Sequence, residues 1–126
     1  MLFRSRSDNL FSQFKGGFAE NFVCQALAGQ LNVAPRYWTN NKPKHEVEYL
    51  TQISDCVVPI EVKSTGNVEA ASIKYYARKY AEETPLRVRC SLLGLRQDDD
   101  MLNIPLYLVD NLVRLVTASL EDVGMK

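Results

Sequence analysis

Apolar residues recur at helical spacing in the first part of the chain. Gly16-Gly17 is expected to interrupt a helix, because two adjacent glycines cost about 2 kcal/mol relative to alanines. After this pair, the segment FAENFVCQALAGQL predicts a helix that ends near Gly29. Its apolar positions form two stripes: Phe14, Phe18 and Phe22, and Val23, Cys24, Leu27 and Leu31. A helix that is apolar on two sides is typical of a buried position, so we expect this helix to be covered on both sides.

The next segments have the pattern of β-strands. Pro35 opens an extended stretch, RYWTNN, which ends in turn-forming residues. Residues 45–53 and 56–64 are rich in β-branched and apolar side chains and predict two strands. Ser54-Asp55 separates them as a short turn, so these two strands are expected to form a hairpin, placed at an edge of the sheet.

The second half of the chain returns to alternating helices and strands. Residues 68–84 predict a helix that stops before Pro85, with one face formed by Ile73, Tyr76, Ala77 and Tyr80. A strand is expected over 86–95, a loop at 98–100, a short strand over 102–105 and a final amphipathic helix over 106–120. The whole chain, 1–126, is therefore predicted to be one mixed α/β domain with its sheet between helices.

Composition narrows the class of protein further. The chain has 126 residues, of which 46% are hydrophobic, and this is enough for a single packed domain. Lys+Arg and Asp+Glu are both 15, so any binding of nucleic acid needs a local basic patch rather than net charge. No apolar run approaches the ~20 residues of a membrane helix, and no secretion signal opens the chain, so a cytoplasmic protein without membrane contact is expected. Cys24, Cys56 and Cys90 are expected to be free thiols, and the single histidine, His45, excludes a His-rich metal site.

The second hairpin strand, VVPIEVKS, contains an unusual pair of charges. Side chains alternate along a strand, so Val58, Ile60 and Val62 point to one face, whereas Glu61 and Lys63 point to the other. A strand covered on both faces is normally apolar throughout, and two neighbouring charges break that pattern.

The predicted hairpin brings further acidic groups towards this pair. With the turn at residues 54–55, Glu48 is expected opposite Glu61, and Glu46 opposite Lys63. Two facing carboxylates repel each other unless they bind a cation or share a proton. Glu20 lies on the apolar stripe of the first helix, where a carboxylate also needs a partner.

Three carboxylates and a lysine that converge in this way suit metal-assisted phosphodiester hydrolysis. Mg²⁺ or Mn²⁺ would be held by carboxylate oxygens, and a lysine can orient water and offset developing charge. The alternative is structural: Glu61 and Lys63 form an ion pair on an edge strand, Glu48 is solvated, and Glu20 lies on a helix surface.

Basic residues are concentrated in and after the second helix: Lys74, Arg78 and Lys79, with Arg87 and Arg89. Such a patch can bind phosphates, and Tyr75 can stack on an exposed base. An ordinary solvated helix face is the alternative for these basic residues. Trp38, Tyr76 and Tyr80 are expected in the core rather than on nucleic acid.

Several of these motifs together resemble a known superfamily. Glu20-Asn21-Phe22-Val23, Tyr37-Trp38, Glu46-Val47-Glu48-Tyr49 and Ile60-Glu61-Val62-Lys63-Ser64 are similar to PD-(D/E)XK nuclease-like domains. The chain resembles most closely the uncharacterised C-terminal domain that follows the P-loop module in prokaryotic AAA-type ATPases. The resemblance covers about residues 16–107. It implies a restriction-endonuclease-like core of helix, three-stranded meander, helix and strand, to which this chain adds a C-terminal helix.

The resemblance also implies roles for individual residues. Glu48 and Glu61 would be ligands of Mg²⁺ or Mn²⁺, Lys63 the catalytic lysine, and Glu20 the helical acid that completes the site. DNA and an ATPase module would be the partners, and self-association is open. The chain departs from the family in having Glu48 where Asp is usual, and it contains no GxxxxGK[ST] motif, so we expect the C-terminal part of a longer ATPase. The alternative function is a non-catalytic domain that binds DNA or docks on the ATPase.

Overall fold

A computed structural model of the chain describes residues 17–31, 36–63 and 71–122. In chain order its elements are α1 (Gly17–Leu31), β1 (Arg36–Asn41), β2 (Lys44–Ile53), β3 (Cys56–Lys63), α2 (Ala71–Lys79), β4 (Arg87–Ser91), β5 (Arg96–Asp98), β6 (Met101–Pro105), a 3₁₀ helix (Leu106–Asn111) and α3 (Leu112–Asp122). The predicted mixed α/β class is confirmed.

The strands form one six-stranded sheet in the order β1-β2-β3-β4-β6-β5. β1, β2 and β3 are antiparallel neighbours, β3, β4 and β6 run parallel, and β5 is antiparallel to β6. The predicted position of the hairpin at a sheet edge is wrong. β1 covers the outer side of β2, and β4 pairs with β3, so both hairpin strands lie inside the sheet.

The hairpin turn has the backbone conformation of a tight two-residue connection. Ser54 and Asp55 both have positive φ, 52° and 65°. This is the backbone of a two-residue turn that matches the twist of its flanking strands. The turn fixes a register that runs from Ile53–Cys56 to Tyr49–Ile60, and over this stretch the predicted register is confirmed.

One face of the sheet carries the main hydrophobic core. Val58, Ile60 and Val62 of β3 lie on this face and are buried, as their alternation predicts. α1, the 3₁₀ helix and α3 cover it with these buried side chains: Ala19, Val23, Leu27, Leu106, Val109, Leu112, Val116 and Leu120. The side chain of Gln30 links α1 to the C-terminal helices, because it donates to the Val109 carbonyl at 2.7 Å and accepts from the Val113 N–H at 2.9 Å.

α1 is buried on one side only, so the prediction of burial on two sides is wrong. Val23 and Leu27 are fully buried, whereas Phe22 remains 44% exposed. Phe14 and the side chain of Phe18 lie outside the described residues. The three cysteines are free thiols, as expected.

α2 lies across β2, β3 and β4 on the opposite face of the sheet. Ile73, Tyr76 and Ala77 are buried against the strands, as predicted, and Tyr80 is half-buried just beyond the helix. The helix ends at Lys79, earlier than predicted, and a turn follows it up to residue 83. Residues 68–70 of the predicted helix lie outside the described part of the chain.

The C-terminal half differs from the prediction in three places. β4 ends at Ser91, and the predicted strand residues that follow form an exposed apolar loop, Leu92–Leu95. Asp98, expected in a loop, belongs to the short strand β5. The predicted final helix is divided into the 3₁₀ helix and α3. Within the described ranges, no helix is long and apolar enough to cross a membrane.

Candidate functional site

An irregularity in β2 shapes the site. Between the pairs Arg36–Leu50 and Trp38–Val47, β1 advances by two residues and β2 by three. One extra residue in one of two paired strands is a β-bulge, which bends the strand and changes the direction of its side chains. The ladder between β2 and β3 ends at Tyr49–Ile60, at the bulge. The predicted ladder pair of Glu48 with Glu61 is therefore not formed, although the two residues follow directly after the last pair.

Glu48 replaces part of the missing ladder with its side chain. Its Oε1 accepts a hydrogen bond from the backbone N–H of Val62 at 3.3 Å. This carboxylate therefore crosses from β2 to β3 at the place where the two backbones cease to pair. Glu48 is held beside Glu61 and Lys63, which flank Val62 on β3.

Glu61 and Lys63 form the ion pair that their spacing on one strand face predicts. The distance from Lys63 Nζ to Glu61 Oε1 is 3.6 Å, and the side chains are 34% and 10% exposed, respectively. Glu61 lies next to Arg89 in the parallel ladder between β3 and β4. A nearly buried carboxylate on an interior strand thus has cations on two sides.

Both buried carboxylates are destabilised in their charged form. Burial is the largest cause that raises the pKa of Glu48 to about 7, followed by the charge of Glu20, with a smaller contribution from Glu61. Burial also raises the pKa of Glu61, although Lys63, Arg89 and Arg87 oppose the shift. One oxygen of each carboxylate, Oε2, is buried and accepts no hydrogen bond from the described residues.

Glu20 reaches the same region from α1. The Tyr49 hydroxyl donates to the Glu20 backbone carbonyl at 2.8 Å, and this bond ties the first turn of α1 to β2. The Glu20 side chain is half-buried, and its charge acts on Glu48. The structure therefore brings Glu48, Glu61 and Lys63 together, and it places Glu20 near enough for its charge to act on Glu48.

An acidic cleft of about 310 Å³ opens beside these residues; its lining is Lys44, His45, Glu46, Glu48, Glu61, Lys63 and Ser72. His45 Nδ1 lies 3.0 Å from Ser72 Oγ, and the imidazole stacks on the Tyr75 ring with centroids 4.4 Å apart. His45, Ser72 and Lys44 were not among the predicted site residues. His45 and Lys44 lie next to the Glu-Val-Glu motif and were accessible to sequence reasoning on that ground, whereas Ser72 comes from α2 and gave no signal.

The carboxylates offer hard oxygen donors of the kind that Mg²⁺ and Mn²⁺ prefer. Glu48 Oε2 and Glu61 Oε2, which are buried and accept no hydrogen bond from the described residues, fit this requirement because a cation would offset their charge. Across the ranges 17–31, 36–63 and 71–122, however, no three His, Cys, Asp or Glu side chains are arranged to hold a metal ion. The cleft therefore provides at most two protein ligands in this conformation, and Mg²⁺ typically takes its other ligands from water and substrate phosphates.

The predicted basic residues separate into different surroundings. Lys74 lines a second cleft, while Arg78 is exposed in the last turn of α2. Lys79 Nζ lies 3.4 Å from Asn40 Oδ1 and 6.0 Å from the centre of the Tyr75 ring. Since His45 already stacks on Tyr75, at least one face of this ring is covered. Of the aromatic residues expected in the core, Tyr76 is buried, and Trp38 packs edge-on against it at 5.0 Å.

Comparison with known proteins and protein families identifies a family for this chain. No curated protein and no solved structure matches the chain. A family model described as a domain of unknown function, DUF4143, matches residues 15–108. This segment contains α1, the whole sheet, α2 and the start of the 3₁₀ helix, together with Glu20, Glu48, Glu61 and Lys63. The chain belongs to the DUF4143 family of domains of unknown function.

Proposed function

We propose that this domain is nuclease-like, with a restriction-endonuclease-like core, and hydrolyses phosphodiester bonds with Mg²⁺ or Mn²⁺ held by Glu48 and Glu61. The observation that carries the proposal is a pair of buried carboxylate oxygens at one cleft, neither of which accepts a hydrogen bond from the part of the chain that the structure describes. Two acidic groups so placed are unfavourable in the apo protein and become favourable when a divalent cation neutralises them.

The electrostatics support a cation rather than a purely structural pair. Glu61 has Lys63 as a counter-charge at 3.6 Å, whereas Glu48 has a backbone N–H as its hydrogen-bond donor. Burial and the neighbouring carboxylates raise the pKa of Glu48 to about 7, so near neutral pH it is divided between its two protonation states. A bound cation would favour the carboxylate form.

In the proposed hydrolysis, the metal, Lys63 and Glu20 have different roles. The metal, when bound, polarises the phosphate and lowers the pKa of its bound water. Lys63 is positioned beside Glu61 to orient that water and to offset charge on the phosphate oxygens. Glu20 adds negative charge that strengthens the attraction for a cation at Glu48.

DNA is the substrate class that the resemblance favours, and an ATPase module is the proposed partner. The net charge of zero gives no general attraction to DNA, so the contacts have to be local.

The alternative function is a non-catalytic domain that binds DNA or docks on an ATPase module. The hydrogen bond from Val62 to Glu48 favours it, because Glu48 then has a structural task that needs no metal. The absence of a three-ligand group among the described residues favours it as well.

Metal-dependent melting tests the proposal first. Millimolar Mg²⁺ or Mn²⁺ is expected to raise the Tm of the wild type. A concentration ten times the Kd adds about 1.4 kcal/mol, which corresponds to roughly 5 °C for a domain of this size. Glu61→Gln should abolish this rise in Tm. Glu121 is an exposed carboxylate of α3, so Glu121→Gln should leave the rise unchanged.

Cleavage of labelled duplex and single-stranded DNA tests the chemistry. Metal-dependent cleavage should disappear in Glu61→Gln and fall strongly in Lys63→Gln, with Glu121→Gln as the control. If the wild type binds no metal even in the presence of DNA, the catalytic proposal fails and the non-catalytic alternative stands. Cleavage that persists equally in Glu61→Gln would show that the activity does not come from this site.

A further inference from the structure

A second cleft lies on the same face of the sheet as the acidic cleft. It has a volume of about 520 Å³, within the range of sites for small molecules, and we call it the basic cleft. Its charged lining is Lys74 from α2, Arg87 and Arg89 from β4, and Asp98 and Asp99 from the β5 region. The family resemblance assigns no role to these side chains.

The two clefts adjoin each other at β3 and α2. Arg89 is the ladder neighbour of Glu61, and the charges of Arg89 and Arg87 act on that carboxylate. Ser72 and Lys74 stand two residues apart in the first turn of α2, one lining the acidic cleft and the other the basic cleft. If one phosphate of a nucleic-acid strand lies in the acidic cleft, the next phosphate of that strand can therefore reach the cations of the adjoining basic cleft.

The basic cleft holds cations that are fixed by the fold. Arg87 Nη2 binds Asp100 at 2.9 Å, and Arg89 Nε donates to Asn103 at 2.9 Å, so both guanidinium groups are held in place. Arg87 Nε is buried and donates to no acceptor among the described residues. Lys74 is exposed and forms no ion pair within that same part of the chain. Fixed guanidinium groups and a solvent-exposed ammonium are suited to bind phosphate.

The acidic members of the lining narrow the class of ligand. Asp98 is paired with Arg96 at 3.1 Å, and Asp99 lies in the turn before β6. Two carboxylates at the rim would repel an isolated phosphate, but they accept hydrogen bonds from the amino and hydroxyl groups of a nucleotide. A single nucleotide unit, with one phosphate and several hydrogen-bond donors, therefore matches this lining better than several phosphates side by side.

We propose that the basic cleft binds one nucleotide of a nucleic-acid strand, with its phosphate at Lys74 and Arg89 and its base or sugar donors at Asp98 and Asp99. The inference rests on the proposed function, because the adjacent phosphate of the same strand would occupy the acidic cleft at Glu61. According to this proposal, Lys74 contacts the nucleic acid, whereas Lys79 on the same helix does not.

The test measures binding without hydrolysis. A fluorescent single-stranded oligonucleotide is titrated into the wild type in EDTA at several salt concentrations. Lys74→Gln is compared with Lys79→Gln, a matched control because Lys79 contacts Asn40 and the aromatic side chains instead of the basic cleft. We expect Lys74→Gln to weaken binding about fivefold and to reduce the slope of log K against log salt by about 0.7. Lys79→Gln should change neither quantity.

Two further probes identify the ligand. In ¹H–¹⁵N spectra, dAMP should shift the amides of Ala71, Lys74 and Met101 in a saturable manner, and inorganic phosphate should do so more weakly. If dAMP binds as tightly as the oligonucleotide, the basic cleft is a site for free nucleotides and the placement of a strand is overturned. Equal effects of Lys74→Gln and Lys79→Gln would mean diffuse surface attraction, which also overturns the inference.

The binding assay can fail or succeed independently of the tests of metal binding and DNA cleavage. Metal binding and DNA cleavage depend on Glu61, whereas this assay contains no free metal and reports on Lys74. If binding depends on Lys74 but no cleavage occurs, the nucleotide site stands and the catalytic proposal fails. If DNA is cleaved but binding does not depend on Lys74, the catalytic proposal stands and the nucleotide site fails.

Discussion

The two faces of the central sheet are built from the same strands but perform opposite tasks. Even-numbered positions of β3, such as Val58 and Ile60, are fully buried beneath α1 and α3. Odd-numbered positions carry Glu61 and Lys63, which open onto the acidic cleft. Because side chains alternate along a strand, one segment of eight residues supplies both a core and a reactive surface.

The apolar face of the sheet stabilises the fold, whereas the polar face destabilises it in the apo protein. The apolar face stabilises the fold through burial alone. On the polar face, two buried carboxylate oxygens accept no hydrogen bond from residues 17–31, 36–63 or 71–122, and such an arrangement costs free energy in the apo protein. Local violations of folding rules of this kind are typical of functional sites. The following changes test the contrast, from the largest expected effect to the smallest.

Ile60→Ala should cause the largest loss, because it creates a cavity on the apolar face of an interior strand. Ile60 is fully buried, and truncation of such a side chain typically costs about 2–5 kcal/mol. Urea denaturation measures the change. Leu92→Ala, at a side chain that is 50% exposed, is the control and should change stability by less than about 0.5 kcal/mol. A similar loss in both variants would contradict the assignment of the core to this face.

Glu48→Gln should remove a pH dependence that originates on the polar face. The pKa of Glu48 is about 7 in the folded protein against an ordinary 4.5, so the native state retains a proton that the unfolded state releases. This contribution to stability is complete below pH 4.5 and is lost as the pH rises to 7. Relative to Glu48→Gln, the wild type should lose roughly 1–3 kcal/mol between about pH 5 and pH 8, the lower values reflecting partial solvation of the carboxyl.

Urea denaturation at the two pH values gives this difference directly. The glutamine retains an oxygen that can accept the Val62 N–H, so the change acts mainly on charge. Glu121→Gln serves as the reference for an exposed carboxylate. Parallel pH profiles for the wild type and Glu48→Gln would contradict the raised pKa.

Asn103→Ala tests a polar network on the same face. Asn103 is buried; its Oδ1 accepts from Arg89 and Ser91, and its Nδ2 donates to the carbonyls of Leu93 and Gly94. Loss of the amide removes the acceptor of the buried Ser91 hydroxyl, which costs about 1–3 kcal/mol. Faster amide exchange in the loop Leu92–Leu95 should accompany the loss. Unchanged exchange would mean that the side chain does not hold this loop.

Tyr49→Phe should have the smallest effect, at the boundary between the two faces. It removes the hydroxyl that donates to the Glu20 carbonyl at 2.8 Å and leaves the ring in place. The expected cost is about 0.5–1.5 kcal/mol, because one hydrogen bond is lost. If α1 is held at this end mainly by that bond, amide exchange should increase in its first turn and remain constant near Leu27. A uniform change along α1 would argue for a general loss of stability instead.

Much of the fold followed from local patterns. The strand pattern and the Ser54-Asp55 turn predicted the hairpin, and its register was confirmed as far as Tyr49–Ile60. Prediction ended where β2 contains its bulge, since the regular alternation and pairing assumed for the hairpin hold only as far as that extra residue. The position of the hairpin inside the sheet was missed because the strand order depends on contacts between segments that are far apart in the chain, here β3 with β4.

The sequence by itself determined which residues are chemically unusual. Glu61 and Lys63 share a strand face because of the two-residue period, and Glu20 lies on the stripe of α1 because of the helical period. Only the tertiary structure decided how these groups meet. The bulge ended the ladder and let Glu48 reach the Val62 N–H, and the packing of α2 on the sheet divided one polar face into an acidic and a basic cleft. Local periodicity sets the direction of a side chain, but the distance between segments is set by long-range packing, which no local pattern contains.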